Sequence, residues 1–174
     1  MPMRSILGYR SAAVLAGVLL LACASGRAQE KSSAPPNSLA IKSASRSINL
    51  SVADFHVLPH VSLTVHNSHS DANENYSGVP LAALLEKVGA PMGKELHGDA
   101  MASYLIATGS DGYAVVLSLA EVDPEFHAGQ VIVADTREGQ PLGKNGPFQL
   151  IVTDDKRPAR WVHNLVSIAL QRAH

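Results

Sequence analysis

The chain of 174 residues holds one cysteine, Cys23, and that scarcity narrows its chemistry at once. A lone thiol forms no intramolecular disulfide and builds no multi-cysteine metal site. Cys23 also lies in a stretch that reads as removable. Arg4 and Arg10 form a basic n-region, Ala12 to Ala22 is an apolar run too short to cross a membrane, and small residues follow. This is the pattern of a secretory signal peptide over residues 1–28, with cleavage after Gly26-Arg27-Ala28. The alternative is lipidation of Cys23 in the box Leu20-Leu21-Ala22-Cys23, although leucine suits the position before Ala-Cys poorly. A periplasmic or secreted protein is expected, away from the membrane unless Cys23 is lipidated. Cleavage at Ala28 leaves a mature chain with no thiol.

An excess of basic residues is also missing. The whole chain has 14 Lys+Arg against 15 Asp+Glu, and removing Arg4, Arg10 and Arg27 with the signal leaves a net charge of −4. A mildly acidic surface argues against nucleic acid as a partner, since phosphate backbones select a basic face. No internal repeat is visible, and no second apolar run is long enough to span a membrane. What remains is one domain's length, sufficient for a core. Residues 29–46 are dominated by Lys, Ser, Ala, Pro and Asn without periodicity and read as a disordered tether, so the folded domain is placed at 47–172.

Within that domain the elements are short. Ser51 is an N-cap candidate with Asp54 three residues on, which predicts a helix over 51–57 stopped by Pro59. Val61 to Val65 alternates as a strand, and 67–75 reads as a polar loop. Pro80 followed by Leu81, Leu84, Leu85 and Val88 at i, i+3, i+4 and i+7, closed by Gly89, predicts an amphipathic helix. Tyr104 to Ala107 and Tyr113 to Leu117 read as strands joined through Ser110-Asp111-Gly112. Ser118 and Glu121 have capping-box spacing. Val131 to Ala134 and Phe148 to Val152 read as buried strands, the charged loop 153–160 follows, and Trp161 to Leu170 reads as the closing strand. Short strands with few short helices predict an α+β domain on a mixed β-sheet with short flanking helices.

Three segments also occur in an order found elsewhere. Tyr76-Ser77-Gly78-Val79-Pro80-Leu81 with Leu84-Leu85, then Ser110-Asp111-Gly112-Tyr113, then Gly146-Pro147-Phe148 running through the basic loop to Arg160-Trp161-Val162, resemble the molybdopterin-binding domain of sulfite oxidase-like oxidoreductases. Each motif is short; the order and spacing, over about Ser62 to Leu170, carry the resemblance. It implies the same α+β architecture, a pterin pocket bounded by the hairpin and the charged loop, and a periplasmic redox partner. In that family a cysteine at the end of the strand matching Leu63-Thr64-Val65 holds molybdenum. Here the chain continues His66-Asn67-Ser68-His69. Imidazole suits zinc, copper, iron or nickel far better than it replaces a thiolate on molybdenum. Sulfite oxidation is therefore not expected.

The resemblance places Arg157, Arg160, His163, Asp111, Tyr113, His66 and Asn67 around a cofactor site. Arg157 and Arg160 would clamp a pterin phosphate or another small anionic ligand, because guanidinium donors match phosphate oxygens. Against this, Asp154 and Asp155 would neutralise them locally, and the charge run would be a solvated face. His163 stands where the family often has a basic residue, yet an unperturbed imidazole is mostly uncharged at neutral pH. Asp111-Gly112 is explained by turn chemistry alone, and Trp161 either stacks on a heterocycle or fills the core.

His56, His60, His66 and His69 cluster in sequence, but Pro59 interrupts the first pair and no carboxylate or cysteine nearby is spaced to complete a set. Solvent-facing histidines are expected there, and no metal site. No nucleophile elbow or hydrolase signature accompanies the serines. Two functions remain: an exported molybdopterin-binding oxidoreductase-like domain with molybdopterin or another pterin, or a cofactor-free small-molecule or protein-binding module on the same fold.

Overall fold

Backbone pairing sorts the chain into two sheets, and a computed structural model describes them over residues 37–173. The predicted signal peptide, Cys23 and the first part of the tether lie outside the described residues. In chain order the elements are β1 (Ser38–Lys42), β2 (Ser47–Ser51), α1 (Val52–His56), β3 (Val61–Asn67), β4 (Ala72–Pro80), α2 (Leu81–Glu86), β5 (Ser103–Gly109), β6 (Ala114–Ser118), β7 (Val131–Arg137), β8 (Gln140–Pro141), β9 (Gln149–Val152) and β10 (Leu165–Arg172). The first sheet has the order β2-β1-β10-β5-β6, and is mixed because β1 runs parallel to β10. The second is antiparallel, β3-β4-β7-β8, with β9 also paired to β7. The expected α+β class is the one found.

The two helices form where local sequence provides their ends. Ser51 Oγ accepts from the Asp54 amide at 3.1 Å, and the Asp54 carboxylate accepts in return from the Ser51 amide at 3.2 Å. This reciprocal capping satisfies amides that a helix start otherwise leaves unpaired. In α2, Leu81, Leu84 and Leu85 are fully buried, as is Val88 just beyond it, and Gly89 takes the left-handed φ of 75° that ends the turn. One continuous core draws on both sheets and both helices: Ile41, Leu105 and Ile168 from the first sheet, Val79, Val133 and Ile151 from the second, Phe55 from α1 and Leu84 from α2.

Four expectations need correction. The ordered chain starts before Ser47: Ser38–Lys42 of the expected tether is β1, whose Leu39 and Ile41 are fully buried between β2 and β10. The expected polar loop 67–75 is a tight turn followed by the first half of β4, in which Asn73, Glu74 and Asn75 pair with β3. Polar side chains there mark a half-exposed hairpin arm. The closing strand begins at Leu165, because Trp161 to Asn164 forms a turn in which Asn164 has φ 48°. His163 accordingly sits exposed in that turn and not inside a strand.

Candidate functional site

The charged loop between β9 and β10 and the turn between β3 and β4 meet at a groove. Ser68 and His69 line one side; Lys156, Arg157, Pro158 and Ala159 line the other, around a volume of ≈ 560 Å³. Pro158 and Ala159 also border a neighbouring, smaller cavity of ≈ 240 Å³ with Asp111, Tyr113, Trp161 and His163. The face formed by both cavities therefore spans one short helical turn, Pro158–Arg160.

Several hydrogen bonds hold this face in shape. The Asp111 carboxylate accepts from the Tyr113 amide at 2.9 Å, as turn chemistry requires, and the Tyr113 hydroxyl donates to the Ala159 carbonyl at 2.5 Å. That second bond ties the β5–β6 hairpin to the charged loop. Trp161 is a core residue: its indole N–H donates to the Val152 carbonyl at 2.9 Å, and its ring meets Tyr76 edge-on with centroids 5.7 Å apart. Asn67 is spent on the turn, its side chain accepting from the His69 amide at 2.9 Å and donating to Glu74 at 3.0 Å. His66 is exposed, with Nε2 3.6 Å from Asp71.

The cations divide unexpectedly. Arg160 does not face the groove with Arg157. Its guanidinium donates twice to Asp155, from Nε at 2.8 Å and Nη2 at 2.6 Å, and once to Glu121 from Nη1 at 2.9 Å. It lines a separate cavity of ≈ 190 Å³ with those two carboxylates. Its hydrogen bonds to Asp155, and to a lesser degree to Glu121, raise its pKa further above the ordinary value against the opposing effect of burial. The expected competition between aspartates and guanidinium is thus decided at Arg160 in favour of Asp155, and the expected Arg157–Arg160 clamp is not formed. Lys156 and Arg157, by contrast, are exposed at the groove, and neither has an ion-pair partner among the described residues. At His163 partial burial of the ring lowers the pKa; Lys144 and Arg137 act the same way and Asp111 opposes them. A neutral imidazole beside the smaller cavity follows at neutral pH.

Of the seven residues expected around a cofactor, Asp111, Tyr113 and His163 share one cavity, Arg157 borders the adjoining groove, and Arg160 lines a third. His66 and Asn67 lead into the turn that supplies Ser68 and His69. Those two were missed as groove residues, and only the pairing of distant loops identifies them. The four clustered histidines also separate. His66 and His69 are exposed as expected, whereas His60 is part-buried and shares a carboxylate with His56, that of Asp135 on β7. A carboxylate does complete this set, contrary to expectation, and it comes from 75 residues downstream.

No family model matches this chain, and no curated protein does. Among solved structures it is similar to a chain of the sulfane dehydrogenase SoxCD from Paracoccus pantotrophus, with a TM-score of 0.58 and 16% identity. The likeness covers 76% of this chain and 37% of that one, so the present chain spans well under half of the neighbour's length. At that identity the likeness bears on the fold alone: the α+β fold described above resembles that of the matched part of SoxCD.

Proposed function

We propose that this is an exported ligand-binding module on a sulfite oxidase-like fold, taking a small anionic group at the Lys156–Arg157 groove, and that it is not a molybdenum enzyme. The observation that carries the reading is the division of the cations. Arg160 is neutralised by two carboxylates, while Lys156 and Arg157 stand exposed and unpaired beside Ser68 and His69. Guanidinium, ammonium and hydroxyl donors on residues that line one groove suit carboxylate, sulfate or phosphate oxygens.

Molybdopterin-bound molybdenum does not fit the donors present. The position that follows the strand core Leu63–Val65 is His66, an exposed imidazole turned to Asp71, and the described residues include no cysteine. The pair expected to clamp a pterin phosphate is split between two cavities, and His163 favours its neutral form. An acidic ligand without the metal needs none of these.

The test has two arms. Elemental analysis of protein isolated from its native compartment is expected to find no stoichiometric molybdenum; one molybdenum per chain overturns the reading. Calorimetric titration of inorganic phosphate and of a phosphorylated pterin into wild type and the Lys156→Ala/Arg157→Ala double variant is expected to show binding weakened about tenfold or more, as loss of charge-assisted contacts implies. Binding should also weaken with salt, because the groove is exposed. Absence of binding to wild type at millimolar probe, or binding indifferent to the double variant, rejects the groove. Export is tested by the intact mass of the secreted protein, expected to begin at Gln29; a diacylglyceryl cysteine at the N-terminus would instead place it on a membrane by its lipid.

A further inference from the structure

We propose that His56, His60 and Asp135 form a binding site for a divalent transition-metal ion of the zinc class, separate from the anion groove. His56 is the last residue of α1, His60 lies between α1 and β3, and Asp135 lies on β7. One ligand atom from each falls within 4.8 Å of the other two. His60 Nε2 is 3.1 Å and His56 Nδ1 3.4 Å from the same carboxylate oxygen, Asp135 Oδ2. Donors bound about 2.0–2.2 Å from a tetrahedral ion stand roughly 3.3–3.5 Å apart, so both histidine-to-carboxylate separations suit an ion, and the exposed His56 side chain is free to close the remaining separation of up to 4.8 Å.

The hydrogen-bonding of His60 gives the stronger argument. Its Nδ1 lies 2.7 Å from the Leu58 carbonyl, which can only accept, so Nδ1 carries a proton. In a neutral ring Nε2 then holds a lone pair directed at the Asp135 carboxylate, acceptor against acceptor. A second ring proton would satisfy that contact, and so would a bound cation, which turns it into two bonds. A backbone carbonyl on the far nitrogen is also the usual device that fixes the tautomer and orientation of a ligating histidine. Asp135 provides an independent sign: its side chain is 8% exposed and its Oδ1 is buried without a hydrogen-bond partner. A buried carboxylate with one unsatisfied oxygen is costly unless a charge compensates it.

Second-layer packing supports the geometry. The Phe55 ring, fully buried, meets His60 edge-on at 5.6 Å and Phe148 at 4.8 Å, walling one side with apolar surface. The other side is open, since the His56 side chain is 74% exposed. Two imidazoles and one carboxylate with a solvent-facing fourth position is a donor set that zinc accepts. None of the three residues borders the groove or its neighbouring cavity.

The experiment is titration of zinc chloride, and separately cobalt chloride, into chelator-treated full chain prepared without a histidine tag. One zinc per chain is expected, with a rise in Tm, and cobalt should show visible absorption bands of a low-coordinate site. His56→Gln and His60→Gln should each weaken zinc binding about tenfold or more, as loss of one ligand in three implies. His56 is exposed, so its variant folds and keeps the metal-free Tm of wild type. His69→Gln and the Lys156→Ala/Arg157→Ala variant should bind zinc as wild type does, which keeps this test independent of the anion groove. Absence of zinc binding at millimolar metal overturns the site. So does binding that survives both histidine substitutions, or that is lost with His69.

Discussion

Arg160 and Asp155, five residues apart on one loop, form a two-pronged ion pair at 2.6 and 2.8 Å, and the same guanidinium reaches Glu121. The contact with Glu121 holds the charged loop to the turn after β6. Burial alone would raise the Glu121 pKa, but hydrogen bonds from Arg160 and Ser118 outweigh it and hold the carboxyl below its ordinary 4.5. A depressed carboxylate contributes stability above the unfolded value and loses it as pH falls through the folded one. Urea stability measured from neutral pH downward should therefore decline below about pH 4.5, and decline less steeply in Arg160→Gln. At neutral pH that variant should cost about 1–2 kcal/mol, a modest figure because the pair is partly exposed.

Tyr76 should mark the opposite end of the pH scale. Burial first, and then its hydrogen bond to Glu74, push its pKa up to about 12 from 10.0. The folded state thus holds the phenolic proton longer than the unfolded chain does. Its contribution to stability is complete below pH 10 and is lost as pH rises toward 12. Absorbance titration of the folded protein should show one late phenol, missing in Tyr76→Phe.

Leu84 tests the helix that sequence periodicity foretells. It is fully buried in α2, against the second sheet, and Leu84→Ala should destabilise by about 2–5 kcal/mol in urea unfolding. A change under about 0.5 kcal/mol, the size of a surface substitution, would contradict the packing described.

Gly78 is a packing constraint of another kind. It sits at a register shift in the β4–β7 pairing, and a Cβ there would run into the backbone of Val133 and Ala134. Gly78→Ala should cost toward the upper end of the 1–3 kcal/mol usual for overpacking, or more, because backbone yields less readily than a side chain. Thermal denaturation of the variant beside wild type would measure it.

What could be read from sequence was what is determined locally. Ser51 with Asp54, Ser118 with Glu121, and the Leu81-Leu84-Leu85-Val88 stripe each contain their own explanation within one or two turns of chain. β1 does not: Ser-Leu-Ala-Ile-Lys follows a Pro- and Ser-rich stretch and becomes a central strand, with β2 on one side, when Ser167, Ile168 and Ala169 arrive to pair with it on the other. The start of β4 was hidden for the converse reason, since polar residues on an exposed hairpin arm resemble a loop. Site residues divide the same way. Tyr113 and Asp111 belong to a hairpin that announces itself, whereas the tie of Arg160 to Glu121 spans 39 residues and that of His60 to Asp135 spans 75. Spacing along a chain cannot disclose such meetings.

The parallel pairing of β1 with β10 also imposes an order of assembly. β1 precedes its neighbour by about 127 residues, from Ala40 to Ser167, so the centre of the first sheet stays open until β10 has been made. Contacts so distant in sequence form slowly, and the unpaired edges of β1 and β5 are meanwhile exposed to other chains. A chain shortened before Leu165 would lose the strand that joins β1 to β5, and with it the link between the two halves of that sheet. β10 is in this sense the clasp of the first sheet, since its arrival turns two separate hairpins into one surface.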